Sequence, residues 1–439
     1  MYRTALEQLV AWKKRPGRKP LILQGARQVG KTWLALELGR TEFSEVAHVV
    51  FLDNEPMKAV FEGSLTPKRL LAAIAAETST RAGDPDVLIV LDEVQECPRA
   101  LTALKLFCEQ CPEVPIIAAG SLLGVALHSG VSFPVGKVEH LDVCPMTFYE
   151  YLKAVDGSLA GLLDSGDLSL VDAFAEKFTD ALKTYYYVGG MPEAVNAYLQ
   201  SGDFSEARRV QERLLYDYEH DFSKHASPLL SERIREVWRS APAQLARKNK
   251  KFIYTAVRPG ARARNFEEAI TWLVDAGLLL RVNRVSKPGL PLDTYADLNA
   301  FKLYFLDIGL LSAASGLALR TIVAKTELFE EFKGALTEQY VCQQFVASGK
   351  VVPRYWSAEN SSGEVDFLYD YDGEVVPVEV KAETNLKGKS LSAFAKKYRI
   401  SRCLRLSLSG LKDQGCVINV PLYAANLLPE IFAASNIDG

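Results

Sequence analysis

Gly25-Ala26-Arg27-Gln28-Val29-Gly30-Lys31-Thr32 fits the spacing G-x-x-x-x-G-K-[ST] at every fixed position. It lies between the apolar run Leu21-Ile22-Leu23 and the helix-forming stretch that starts at Trp33. This is chemistry for holding phosphate. Glycines let backbone N–H groups curl round anionic oxygens, the Lys31 ammonium neutralises β and γ oxygens, and the Thr32 hydroxyl is offered to Mg²⁺ at a helix N-terminus that already favours anions. Residues Gly25 through Trp33 are therefore the expected nucleotide contacts, with ATP and Mg²⁺ as ligands. A second element completes the chemistry. The aliphatic run Val87-Leu88-Ile89-Val90-Leu91 ends in Asp92-Glu93, so Asp92 is expected to hold Mg²⁺ with Thr32, and Glu93 to polarise the attacking water.

These residues need a scaffold that brings them to one edge. A nearly continuous β-branched and aliphatic run suits the centre of a parallel sheet covered on both faces, and its acids then fall at the carboxyl edge, beside the phosphate loop. A third strand, Pro115 to Gly120, ends in Ser121, whose hydroxyl is placed to sense the γ-phosphate between the loop and the Asp92 strand. Lys137 to Pro145 alternates and reads as the last strand of this sheet. From Phe148 to about Leu199 the pattern is helical, interrupted by Gly189-Gly190-Met191-Pro192. A small helical bundle beside such a sheet reads as a lid, in which the turn at Pro192 either touches nucleotide or simply joins two helices.

Between Val237 and Arg264 there are eight Lys or Arg and no Asp or Glu, including Arg247-Lys248-Asn249-Lys250-Lys251. Such a stretch suits phosphate contacts with DNA, each of which releases a counterion. A helix with apolar residues at Phe266, Ala269, Ile270 and Leu273, a stop at Gly277, and a hairpin from Leu278 to Val285 and from Lys302 to Leu306 predict a winged helix. In the last segment, Val375 to Lys381 reads as a strand with Glu379 and Lys381 on one face. Asp366 begins a neighbouring strand, and Glu338 interrupts an apolar helical stripe formed by Ala335, Cys342 and Phe345. Asp366 and Glu379, with Glu338, are candidate ligands for Mg²⁺ or Mn²⁺, and Lys381 is a candidate for positioning water or steadying phosphorane charge. Pro377 within the strand suggests a sheet edge or a bulge.

A chain of 439 residues exceeds one core, and its 48% hydrophobic and 24% charged content describes an ordinary globular composition. Seven cysteines, an odd number, argue for a reducing compartment, so a cytoplasmic location is expected. The uncharged run Val114 to Leu127 is too short to cross a bilayer.

Taken together, Gly25 to Thr32, Leu91-Asp-Glu-Val-Gln95, Gly120-Ser121, Val188-Gly-Gly-Met-Pro-Glu-Ala194, Trp272 to Leu278, Phe305-Leu-Asp-Ile-Gly-Leu310 and Glu379-Val-Lys381 resemble one family. It comprises prokaryotic AAA-type ATPases in which a P-loop domain is joined to a C-terminal domain of unknown function of the PD-(D/E)XK, restriction-endonuclease-like superfamily. The resemblance implies an α/β chain with a P-loop ATPase domain at 1–146, a helical lid at 147–203, a winged helix at 204–327 and a nuclease-like domain at 328–439. Because the loop of such an AAA-type core shows no clear cis arginine finger, an ATP-stabilised homo-oligomer is expected, a ring such as a hexamer. Relatives carry Gly-Arg where this chain has Gly136-Lys137, which leaves Arg27 or Arg99 as candidate arginine fingers. Two functions compete: an ATP-driven protein that acts on structured or branched DNA, and an ATP-dependent regulatory switch that assembles with a protein partner around a catalytically silent C-terminal domain.

Overall fold

In the computed structural model, which describes residues 1–121, 134–247, 249–323, 330–358, 363–384 and 390–428, the chain forms two compact units. Unit 1 comprises Met1–Cys144 and Asp275–Leu278, and unit 2 comprises Pro145–Val274 and Leu279–Gly439.

Unit 1 is an α/β layer structure. Its strands are β1 (Leu21–Gln24), β2 (Glu45–Val50), β3 (Val87–Asp92), β4 (Ile116–Ala119) and β5 (Glu139–Asp142). They lie in the order β2-β3-β4-β1-β5, and every pairing is parallel. All six residues of β3 are buried, as a strand covered by helices on both faces requires. One core gathers Ile89 and Leu91 of β3, Ala47 and Val49 of β2 and the helical residues Phe61, Leu70, Leu104 and Phe107. Because β4 stands between β1 and β3, the phosphate loop after β1 and the acids after β3 flank Ser121.

Unit 2 combines helices with a mixed eight-stranded sheet, in the order β12 (Lys412–Asp413), β13 (Val417–Pro421), β11 (Cys403–Ser407), β10 (Glu374–Val380), β9 (Glu364–Tyr371), β8 (Arg354–Ser357), β6 (Leu279–Val285) and β7 (Ala296–Phe305). The hairpin of β6 (Leu279–Val285) and β7 (Ala296–Phe305) is the expected wing, but it belongs to the same sheet as the C-terminal strands. Parallel pairing of Arg284 and Val285 with Tyr355 and Trp356 of β8 (Arg354–Ser357) joins them. The segments read from sequence as separate winged-helix and nuclease-like domains thus share one sheet. β7 also starts earlier than its apolar pattern suggests, because Asp297 and Asn299 lie in its first half. Pro377 lies in β10 (Glu374–Val380), a central strand without a bulge, rather than at an edge. It pairs across to Leu368 of β9 (Glu364–Tyr371), and the ladder to β11 (Cys403–Ser407) begins one residue later, at Val378, so the missing N–H interrupts nothing there.

The turn at Gly189-Gly190 has a packing explanation inside unit 2. Gly189 has φ +73°, and a Cβ on it would lie 2.3 Å from Asp307 Oδ1. A Cβ on Gly190 would lie 2.0 Å from the Met146 carbonyl oxygen. Asp307 is fully buried and accepts hydrogen bonds from the Gly190 N–H at 2.6 Å, the Leu310 N–H at 3.0 Å and the Gln343 side chain at 3.2 Å. Burial pushes its carboxyl up to about 6, against the pull of those donors. Pro192 opens the helix Pro192–Ser201 in its first turn, so the glycine, proline and Asp307 signals describe one fastening between segments far apart in sequence.

Asp307→Ala strands two buried N–H groups. It is expected to cost about 2–5 kcal/mol in urea unfolding of the full chain; a loss below about 1 kcal/mol would show that this fastening is not a structural one. Gly190→Ala, which drives a Cβ into backbone, is expected to cost at least as much.

Candidate active site

The phosphate loop runs from β1 into the helix Lys31–Glu42. Two of its glycines are required by geometry. Gly30 caps the helix at φ +95°, and Gly25 has φ +137° with any Cβ falling 2.3 Å from the Val143 carbonyl oxygen. Gln28 also adopts a left-handed φ of +66°. Arg3, almost wholly buried, braces the loop from behind by donating to the Val29 carbonyl at 2.9 Å and the Cys144 carbonyl at 2.6 Å. Nothing in the pattern of the first helix singles that arginine out.

Lys31 Nζ donates to the carbonyls of Gly25 at 2.9 Å and Ala26 at 2.7 Å. Burial lowers its proton affinity to about 8, although the charges of Glu93 and Asp92 pull the other way. An ammonium so placed gains by meeting phosphate.

Thr32 Oγ1 donates to Asp92 Oδ2 at 2.8 Å. Burial alone would raise the Asp92 carboxyl, but His48, Thr32 and the Glu93 N–H hydrogen-bond it and hold it below the usual carboxylate range. Its Oδ1 accepts from that N–H at 3.0 Å, and His48 Nε2 lies 3.5 Å from Oδ2. A hydroxyl and an ionised carboxylate are hard oxygen donors, and Mg²⁺ beside a nucleotide asks little more of the protein, because phosphate oxygens and water fill its other positions. The donor set therefore fits Mg²⁺, with Thr32 and Asp92 as holders and charge neutralisation on the phosphates as the chemistry supplied.

Glu93 takes a left-handed φ of +53°, a strained conformation of the kind that occurs where a side chain must be aimed. Its carboxylate accepts a hydrogen bond from the Gln95 amide nitrogen. That nitrogen also lies 3.4 Å from Ser121 Oγ, which in turn accepts from Arg27 Nε at 3.1 Å. Loop, acid strand and Ser121 are thus joined through polar side chains. Motif spacing locates every member except Arg3 and His48; Gln95 stands at the end of the Leu91–Gln95 motif, which by itself assigns it no role. Trp33, which follows Thr32, is 39% exposed. Lys137, which stands where relatives carry arginine, pairs with Glu109 at 2.9 Å, and the other candidate finger, Arg99, donates to the carbonyls of Phe61 at 2.9 Å and Gly63 at 3.0 Å.

The C-terminal acids behave differently. Glu338, on the helix Glu330–Ser348, is buried and accepts from Lys250 Nζ at 2.6 Å and from Tyr304 OH at 3.3 Å. Lys302, 1% exposed, lies 3.5 Å from Glu338 and 2.5 Å from Glu364. Burial alone would strip the Lys302 proton, but the charges of Glu338, Glu364 and Asp366 hold it on firmly. Asp366 accepts from the Val380 N–H at 2.7 Å. Burial first, then the nearby Glu338 charge, push it up to about 7. Glu379 instead faces Lys381 at 2.9 Å and Arg405 at 3.3 Å. The structure therefore groups Asp366 with Glu338 around an ammonium and sets Glu379 against two cations. Among the described residues, no group of three His, Cys, Asp or Glu is placed to hold a metal ion. Lys302 was legible as one charge in an apolar strand pattern; that it faces Glu338 was not.

Within the basic stretch, Lys250 is spent on Glu338, Arg239 on Glu219 at 2.6 Å and Arg258 on Glu236 at 3.4 Å. Lys248 lies outside the described residues.

Residues 17–152 match the family model for the AAA domain. With the loop and acid geometry above, this match marks that part of the chain as a P-loop ATPase domain. Residues 179–321 and 333–423 match two domains of unknown function, DUF8612 and DUF4143 respectively. Among solved structures, the chain is similar to the Walker-type ATPase of Pyrococcus abyssi at 14% identity, covering 72% of this chain and 95% of that one with a TM-score of 0.45. It is more distantly similar to the Orc1 protein of Aeropyrum pernix in complex with DNA, at 15% identity, 71% and 90% coverage and a TM-score of 0.27. Cdc6p of Pyrobaculum aerophilum follows at 14% identity, 71% and 92% coverage and a TM-score of 0.26. No curated protein matches. Among the described residues, no helix is long and apolar enough to cross a membrane.

Lys31 is expected to make ATP binding by this domain depend on pH. With a proton affinity near 8 in the free protein, Lys31 must take up a proton to meet phosphate at higher pH. ATP affinity is expected to be nearly flat up to about pH 7.5 and then to fall by up to about tenfold per pH unit. Titration with a fluorescent ATP analogue from pH 7 to 9.5 checks this; a flat profile throughout contradicts the burial argument.

Proposed function

We propose that the protein hydrolyses Mg²⁺-ATP and uses the cycle to act on DNA, which it grips rather than cuts. The observation that carries the first part is the hydrogen bond between Thr32 and Asp92, with Glu93 beside it in a left-handed conformation. Lys31 steadies the γ-phosphate, Thr32 and Asp92 hold Mg²⁺, Ser121 reads the phosphate's presence, and Glu93 takes the proton of the attacking water. Arg27, already bonded to Ser121, serves its own site. In this reading a neighbouring copy in a homo-oligomeric ring supplies the remaining positive charge.

DNA contact rests on the acid-free stretch after Val237. With Lys250, Arg239 and Arg258 engaged, the contacts pass to Arg247, Lys251, Arg262 and Arg264; three of these, Arg247, Arg262 and Arg264, are exposed. The gripping role rests on Lys302, whose ammonium already neutralises the acids that a nuclease would give to a metal. A second reading, the ATP-dependent switch with a protein partner, draws support from the internal use of Lys250.

ATP turnover with duplex, single-stranded and branched DNA separates them. A gripping ATPase is expected to speed up several-fold with at least one of these. Neutralising Arg247, Lys251, Arg262 and Arg264 together should flatten the dependence of log affinity on log salt by up to about 0.9 for each phosphate that is no longer neutralised. Turnover indifferent to DNA, with an unchanged salt slope, favours the switch. Incubation with Mg²⁺ or Mn²⁺ is expected to leave linear, flapped and four-way DNA intact; cleavage abolished by Asp366→Ala would overturn the gripping role.

A further inference from the structure

We infer that Gln95 positions the hydrolytic water in the ATP site, an assignment that rests on the reading of Glu93 as the base. The residue sits in the short 3-10 turn Val94–Glu96 that follows β3. Its amide nitrogen is committed, donating to the Glu93 carboxylate and lying 3.4 Å from Ser121 Oγ. A carboxylate only accepts, so this bond fixes which end of the amide is nitrogen and which is oxygen.

The oxygen is the informative atom. Gln95 Oε1 is buried and has no hydrogen-bond partner. A buried acceptor left without a donor carries a desolvation cost and calls for an explanation. It sits on the same side chain that grips the base and reaches the end of β4, where Ser121 is held by Arg27 of the phosphate loop. The donor that such an acceptor wants, in a site built for phosphoryl transfer, is a water O–H.

A water bound between Glu93 and Gln95 directs one O–H at the carboxylate and the other at Gln95 Oε1, which leaves a lone pair for the γ-phosphorus. As its oxygen bonds to phosphorus, the bond from phosphorus to the β,γ-bridging oxygen breaks and its electron pair stays on ADP. The proton passes to Glu93 and then to solvent, giving inorganic phosphate. Gln95 neither gains nor loses a proton; it fixes the direction of attack, the contribution that orientation makes to such barriers. Because the amide also contacts Ser121, occupancy at the γ-phosphate position reaches the base and the water through one side chain.

The test uses the full chain carrying Gln95→Met, which keeps the length and loses both polar atoms, and Gln95→Ala, with Glu93→Gln in parallel. Steady-state turnover of Mg²⁺-ATP gives kcat and KM, and a fluorescent ATP analogue gives affinity. Both Gln95 variants are expected to lose roughly 10- to 100-fold in kcat with KM and affinity within about threefold of the parent. Full turnover by Gln95→Met with an inactive Glu93→Gln overturns this inference alone. Full turnover by Glu93→Gln removes the base itself, and the inference falls with it. Parallel loss of ATP affinity and kcat in Gln95→Met, or a lowered melting temperature in both Gln95 variants, assigns Gln95 to packing and equally overturns the inference.

Discussion

Thr32 lies in the first turn of the helix that the phosphate loop feeds from β1, and Asp92 ends β3, a strand that is not a neighbour of β1. β4 separates β1 from β3, so the two backbones are about 9–10 Å apart at the sheet edge, yet the hydroxyl and the carboxylate meet at 2.8 Å. Between those two strands, β4 ends in Ala118-Ala119 and the chain runs on through Gly120 to Ser121. The rest of the ATP site is arranged around the hydrogen bond between Thr32 and Asp92. Lys31 is held by the loop carbonyls of Gly25 and Ala26, and Ser121 is the first side chain after β4 that meets both Arg27 and Gln95.

What was legible beforehand followed from local rules. The loop glycines and Lys31, the aliphatic run ending in Asp92, and the Ser121 strand each have a short-range signature, and their assembly into one parallel sheet follows from the rules of such sheets. Less legible were residues whose role is set by distant chain. Arg3 braces the loop from the start of the helix before it, and Asp307 fastens a turn more than a hundred residues away. The union of the wing hairpin with the C-terminal sheet depends on a two-residue parallel pairing between β6 and β8, too small a signal for any periodicity to carry.

The C-terminal cluster shows how charge type rather than charge count decides a site. Glu338, Glu364 and Asp366 are the residues a divalent ion would seek, but the sheet delivers an ammonium from β7 to the same place and a second comes from Lys250. An ion pair of this kind has fixed donors and no exchangeable coordination position, so it holds backbone segments together without offering a Lewis acid. The elevated Asp366 carboxyl follows from the same setting: burial first, then the Glu338 charge, outweigh what the Lys302 ammonium and the Val380 N–H take back.

The discontinuity of unit 1 bears on how this chain can be taken apart. Asp275–Leu278 belongs to the same compact unit as the phosphate loop, and the backbone of Gly277 comes so close to Ala26 that a Cβ there would lie 3.2 Å from the Ala26 nitrogen. With φ +70°, Gly277 is also strained for any other residue. The ATPase is therefore not a module that ends where its sheet ends. A fragment cut after Cys144 would bare the flank of its own phosphate loop, and grafting this ATPase onto another protein would require carrying along a short segment from more than a hundred positions downstream.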